Sequence, residues 1–235
     1  MACRHGALFP TPPKRGVPQP PPPLASPFRS VLATLLFLVA GVSAQTSPLN
    51  LTPEERAFLK ENRDKLTLYF NTTYPPIEFQ TPGGAFTGMG ADVFDRVEKA
   101  LGISFPRRPM PDWNHHLRAL REGTCALAPT IVQTRERESY LSFTTPYATV
   151  PVVIITSRQI QGRISLKDLG GMKVGVVSGF ATEPTIREQA SRYGFETVTV
   201  PDVPTGLESL AFGQMDAFVE NLAVAAYYIE AKGIP

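Results

Sequence analysis

The sequence predicts a two-lobed α/β protein. From Pro53 onward short β-rich runs alternate with helical patterns, and the alternation starts afresh after a polar stretch at residues 157–167. No internal repeat interrupts this order. A boundary near residue 155 follows, and each lobe is a small β-α-β-α-β unit whose ligands sit outside the carboxyl ends of the strands.

In the first lobe, residues 66–70 (LTLYF) read as a strand and residues 72–88, with three prolines and three glycines, as a loop. Residues 91–101 set Val93, Phe94, Val97 and Leu101 on one helical face, with Gly102 placed to end it. A short strand is expected near 103–105. Asp112 caps a helix whose Trp113, Leu117 and Leu120 share one face, and residues 125–131 read as a buried strand. Residues 150–156 (VPVVIIT) are a long β-branched run. In the second lobe, strands are expected at 173–177, 195–200 and 215–220, and helices at 182–193, 205–212 and 223–231.

Residues 31–42 (VLATLLFLVAGV) carry no charge, follow Arg29 and lead into Val42-Ser43-Ala44, a small-x-small cleavage signal. Residues 1–44 therefore read as a secretory signal peptide with a Pro-rich n-region, cleaved near Ala44, which sends the protein to the periplasm or beyond. A membrane-spanning helix needs about 20 apolar residues, more than this run supplies. Residues 10–27 hold nine prolines, a composition that favours extended chain over a packed core. An n-region of this kind suggests that translation starts further in. Lobe one then covers 45–155 and lobe two 156–235.

The 235 residues are 43% hydrophobic and 19% charged, enough for real cores. Arg4, Lys14, Arg15 and Arg29 precede the first acid, Glu54, so the positive balance lies in the leader and the folded part is slightly acidic. Nucleic acid is not an expected partner. Two cysteines, Cys3 and Cys125, exclude a disulfide framework and a four-cysteine zinc site. His5 lies in the leader, and the adjacent His115 and His116 point to different helix faces. Gly88-Met89-Gly90 opens a helix, but Val93 stands where a dinucleotide fingerprint needs its third glycine, and P-loop and G-x-S-x-G motifs are absent. No metal or cofactor is implied.

Six segments in chain order resemble the family 3 extracellular solute-binding proteins, the bilobed periplasmic modules also called Venus flytraps. They are Tyr74-Pro75-Pro76-Ile77-Glu78-Phe79, Gly88-Met89-Gly90-Ala91-Asp92, Trp113 with Leu120-Arg121-Glu122-Gly123, Thr134-Arg135-Glu136-Arg137, Phe143-Thr144-Thr145-Pro146-Tyr147 and Gly213-Gln214-Met215-Asp216-Ala217. The opening Leu51-Thr52-Pro53-Glu54-Glu55 and the Glu220-Asn221-Leu222-Ala223 stretch look most like ectodomains fused to sensor histidine kinases. The resemblance implies that a small solute is the partner, bound without catalysis by closure of two lobes, and that a transporter permease or a fused sensor kinase reads the closed form. It also implies a return crossing and a closing part of lobe one that this sequence lacks, as either a fragment of a longer protein or a truncated binder with an uncovered lobe would.

The resemblance assigns roles residue by residue. Arg137 would grip a ligand carboxylate, as a planar guanidinium does with two parallel hydrogen bonds; from residue type alone it is equally a surface arginine paired with Glu136 or Glu138. Tyr74 and Trp113 would sandwich the ligand, although Trp113 also fits the core by its spacing with Leu117 and Leu120. Thr130 would hydrogen-bond the ligand or serve as an ordinary strand threonine. Ser178, Ala181 and Thr182, in the turn between a strand and a helix, would offer backbone amides to the carboxylate, or Thr182 would only cap the helix. Asp92 and Asp216 read as structural carboxylates. Asn221 stands where amino-acid-binding members carry an acid for the ligand ammonium, with Glu220 on the opposite face of the strand, and Val132 replaces a common hydroxyl. A carboxylate without an ammonium, or a neutral-headed solute, therefore fits at least as well as an α-amino acid. A dehydratase on the same scaffold is the enzymatic rival, with Glu78 and Glu220 the acids it would use.

Overall fold

The computed structural model describes residues 2–3, 49–160 and 162–234. Apart from Ala2–Cys3, the expected signal peptide and its proline-rich stretch lie outside the described residues. Among these residues no helix is long and apolar enough to cross a membrane.

The first lobe begins with α1 (Pro53–Asn62), started by a capping box in which Thr52 and Glu55 satisfy each other's backbone amides. Strand β1 (Leu68–Asn71) is buried throughout. It pairs in parallel with β5 (Arg107–Met110) across the helix α2 (Met89–Leu101), which Gly102 ends in a left-handed conformation. The expected loop at 72–88 instead folds into a three-stranded antiparallel sheet of β2 (Thr73–Tyr74), β3 (Glu78–Gln80) and β4 (Phe86–Thr87). Gly84, at φ 85°, supplies the tight turn that lets β3 and β4 pair.

Two other strands differ from expectation. The one foreseen at 103–105 forms at 107–110, because the Ser104 carbonyl accepts Arg63 Nε (3.0 Å) and the Phe105 amide donates to Glu98 Oε1 (2.8 Å), which takes both groups out of any ladder. Residues 125–131 make a single bridge, Leu68 to Leu127, and Pro129 follows with no amide to extend it. Helix α3 (Trp113–Arg121) and the one-turn α4 (Arg135–Glu138) complete this lobe.

The second lobe is one sheet with strand order Ala2–Cys3, β6 (Val152–Thr156), β9 (Ala217–Asn221), β7 (Lys173–Val177), β8 (Glu196–Val200). The β9–β7–β8 part is parallel, and β6 joins it antiparallel to β9. Helices α5 (Thr182–Tyr193), α6 (Val203–Ala211) and α7 (Leu222–Lys232) cover it. Alternate residues serve two cores. Val153, Ile155, Val177 and Phe218 pack with Leu207, Leu210 and Val224 on one face. Ile154, Val174, Val176, Ala217 and Val219 pack with Ile186 and Leu169 on the other. Burial on both faces explains why these strands read as nearly continuous apolar runs. Asp216, expected to be structural, accepts the Lys173 amide at 2.7 Å between two of these strands.

Gly206 in α6 lies flat on the fully buried Phe218 ring, where a Cβ would collide with ring carbons. Glycine costs a helix interior up to about 1 kcal/mol relative to alanine, but overpacking costs about 1–3 kcal/mol. Gly206→Ala is therefore expected to lower stability despite its better helix propensity, read as a reduced urea midpoint with an unchanged slope.

Candidate functional site

Three local devices bring side chains to the seam between the lobes. Asp112 accepts the His115 amide at 2.9 Å and starts α3, which puts Trp113 at its first position. Thr134 accepts the Arg137 amide at 3.2 Å and starts α4, which carries Arg137. From the second lobe, β7 ends in the turn 178–181 before α5, with Gly179 at φ 73°. A Cβ on Gly179 would stand 2.8 Å from Asn114 Oδ1 and 3.0 Å from Leu117 Cδ1, so only glycine lets this turn rest on α3.

The Gly179 carbonyl is the meeting point. It accepts Trp113 Nε1 at 2.9 Å and Arg137 Nη2 at 3.0 Å, while Arg137 Nη1 donates to the Val132 carbonyl at 2.8 Å. The guanidinium carbon lies 5.5 Å from the centroid of the Trp113 ring, a cation–π contact. Arg137 is 4% exposed, and burial pulls its guanidinium below its ordinary pKa. Phe180 presents edge contacts to both Tyr74 (5.4 Å) and Trp113 (5.7 Å). Tyr74, Trp113 and Arg137 thus share one site, and Phe180, absent from the expected set, joins the two rings.

Tyr74 donates its hydroxyl to Glu220 Oε1 at 3.0 Å, across the seam. Glu220 therefore reaches the first lobe, contrary to the expected placement on the far face of its strand. The side chain of its neighbour Asn221 is committed elsewhere, capping α7 by accepting the Ala223 amide at 2.9 Å and that of Val224 at 3.4 Å. The Thr130 hydroxyl adjoins the Glu78 carboxyl and partly offsets the effect of its burial. In the turn, the Ser178 amide donates to the Val200 carbonyl, that of Gly179 to Glu183 Oε2 and that of Phe180 to the Val177 carbonyl. Ala181 and Thr182 follow in the same turn, at the start of α5.

Glu78 and Glu220 are 1% and 2% exposed. Burial pushes the Glu78 carboxyl up to about 8 and that of Glu220 to about 7. His116, fully buried behind Trp113, is lowered by desolvation, and secondarily by the Arg137 charge, to about 4. Among the described residues no group of three or more His, Cys, Asp and Glu side chains is arranged to hold a metal ion.

These shifts fix the direction of a pH effect. An acid whose pKa rises on folding favours the fold below its unfolded value, near 4.5, and loses that contribution as pH rises through 7 for Glu220 and 8 for Glu78. His116 has the opposite sense: its contribution is complete above 6.5 and is lost as pH falls through about 4. Among the described residues the two acids are the groups whose shifts act between pH 6.5 and 8, so the melting temperature is expected to fall over that range, and Glu220→Gln is expected to flatten that fall. Scanning calorimetry at half-unit steps checks both.

Comparison with known proteins agrees with this geometry. Residues 66–165 match the family model of the bacterial extracellular solute-binding proteins, family 3. The chain is 29% identical over 189 residues to the L-cystine-binding protein TcyJ of Escherichia coli K12, covering 79% of this chain and 68% of that protein. It is 28% identical over 145 residues to the virulence sensor protein BvgS of Bordetella pertussis, covering 61% of this chain but 12% of the sensor. Among solved structures, an ancestral arginine-binding protein bound to arginine superposes with a TM-score of 0.63 at 28% identity, over 72% of this chain and 74% of that one. The stretch that holds Glu78, Trp113, Thr130 and Arg137 thus carries the family 3 solute-binding pattern, on the bilobed fold of those proteins.

Proposed function

We propose that this protein binds a small carboxylate-bearing solute between its lobes, outside the cytoplasm, without transforming it, and that lobe closure delivers the solute to an ABC-type permease. The observation that carries this reading is the fork of Arg137 between two neutral carbonyl oxygens, one from each lobe. A carboxylate offers the same pair of acceptors with a full negative charge, and charge-assisted bonds of this geometry are roughly twice as strong as neutral ones. Trp113 then supplies a flat contact and an indole donor at the same point, Tyr74 and Phe180 wall the far side, and the amides of Ala181 and Thr182 approach from the second lobe. Ser178 and Asn221 shape the turn and the α7 cap, and Thr130 acts through Glu78.

The pairing of all of β6 within the second sheet supports a lobe boundary just before Val152. Binding without turnover is supported by the surroundings of the two acids a dehydratase would use. Glu78 is held by Thr130 and Asn71, and Glu220 by Tyr74 and Asn221, none of them a base. The likeness to BvgS favours a second reading, in which the same closure event signals through a fused sensor kinase.

Isothermal titration of the purified protein against small mono- and dicarboxylates and amino acids tests the proposal. Arg137→Ala is expected to weaken the binding of any carboxylate about 30-fold or more, the cost of removing one partner of a buried charged pair. Gly179→Ala should separate the lobes, seen as an increased radius of gyration by small-angle scattering. Carboxylate affinity unchanged in Arg137→Ala would defeat the reading.

A further inference from the structure

We infer that Glu183 is a positioning residue of the site: acting through Gly179, it holds in place the turn that the second lobe brings to Trp113 and Arg137, and so sets how tightly that lobe closes on a solute. Its hold on Gly179 stands on geometry alone, and its effect on affinity rests on the solute-binding reading above. Position 179 requires glycine because α3 comes too close for a Cβ, which would stand 2.8 Å from Asn114 Oδ1 and 3.0 Å from Leu117 Cδ1. Glycine is also the residue whose backbone turns most freely, and φ 73° is one of several conformations open to it. The close approach of the lobes therefore leaves their meeting point without a restraint of its own.

Glu183, the second residue of α5, supplies that restraint. Its Oε2 accepts the Gly179 amide at 2.7 Å, and its own amide donates to the Phe180 carbonyl at 3.0 Å, so side chain and backbone grip the turn together. The Phe180 amide belongs to the same peptide unit as the Gly179 carbonyl and donates to the Val177 carbonyl at 3.2 Å. The Gly179 oxygen, trans to that N–H, is thereby turned away from Val177 and toward Trp113. Both peptide units that flank the Gly179 Cα are held, the first of them by Glu183.

The Glu183 carboxylate is itself braced. Its Oε1 accepts Arg187 Nε at 3.0 Å and Nη2 at 2.9 Å, and Arg187 Nη2 reaches on to the Thr199 hydroxyl of β8. A chain of hydrogen bonds thus runs from β8 through Arg187 and Glu183 to Gly179, and from there to Trp113 and Arg137 in the first lobe. The Glu183–Arg187 pair is spaced i,i+4, with half of the arginine side chain in solvent, and a pair of this kind adds little to stability by itself. Its consequence lies in where it points Glu183 Oε2. A turn held in its closed shape before the solute arrives spares binding the cost of ordering it, whereas a loose turn spends part of each contact on that ordering.

Trp113 is the only tryptophan of the sequence and bonds the Gly179 carbonyl, so its fluorescence reports on the turn without any ligand. The test compares Glu183→Ala, Glu183→Gln and Glu188→Ala in the purified full chain, each checked for a cooperative melt; Glu188 is an exposed acid of the same helix and serves as control. Glu183→Ala is expected to move the Trp113 emission to longer wavelength and to raise its quenching by acrylamide. Glu183→Gln keeps an acceptor for the Gly179 amide and is expected to restore both, and Glu188→Ala to leave both unmoved. In titrations with glutarate and glutamine, Glu183→Ala is expected to weaken whichever binds by about fivefold or more, and Glu183→Gln to recover most of that loss. A melting temperature lowered by Glu183→Ala with emission and affinity unmoved would reduce Glu183 to a helix-stabilising residue and overturn the inference, as would an affinity that does not fall. The emission changes without binding of either probe to any variant would instead overturn the solute-binding reading for these compounds and leave the hold of Glu183 on Gly179 standing.

Discussion

One backbone oxygen, the carbonyl of Gly179, holds the site together. It receives an indole N–H and a guanidinium N–H from the first lobe while belonging to the second. Arg137 is buried and Trp113 half-buried, so breaking the guanidinium bond without replacement would leave an unsatisfied polar group, which costs more than the bond itself contributes. The relative position of the lobes is therefore set by polar contacts at Gly179 and Glu220 together with apolar packing, in which Ile77, Tyr74 and Met89 join the core of the second lobe. A polar contact of this kind can be exchanged for another acceptor of similar geometry with little net change, whereas an apolar one cannot.

That exchange is possible because the surrounding elements are rigid. Trp113 opens a helix capped by Asp112, and Arg137 sits in a turn started by Thr134. Phe180 is fixed by its neighbours in the strand-to-helix turn, and Glu183 reaches back to hold the Gly179 amide at 2.7 Å. Each functional side chain has its own local support, so movement of one lobe against the other does not require any of these elements to re-form. The site is an assembly of preformed halves.

Much of this was legible in the sequence, for identifiable reasons. Elements with strong periodicity or clear end signals lie where expected: α2 with its Gly102 stop, α3 with its Asp112 cap, and β7 and α5 to the residue. The hairpin sheet at 73–87 was hidden because its strands are two or three residues long, shorter than any alternation can reveal. The strand displaced to 107–110 was hidden because side chains of Arg63 and Glu98, distant in sequence, claim the backbone of 104–105. At the site, the family resemblance pointed to Tyr74, Trp113 and Arg137, where residue type alone left structural readings open. Glu220 could not be placed, since strand alternation assigns faces but not what the adjoining lobe puts there, and Phe180 had no signal beyond being a large apolar residue in a turn of small ones.

The antiparallel pairing of β6 with β9 also bears on how the chain reaches its fold. Val152–Thr156 waits for Ala217–Asn221 before it gains a partner on that side, and β9 is at the same time the strand that joins β6 to β7 and β8. The central strand of the second sheet is thus the last of its described strands to be made. Contacts this far apart along the chain carry a loop-closure cost that must be met before they return any stability, and such topologies assemble slowly. β7 and β8 pair with each other before β9 is made, whereas β6 joins them only through β9, so completion of the second sheet is a late step.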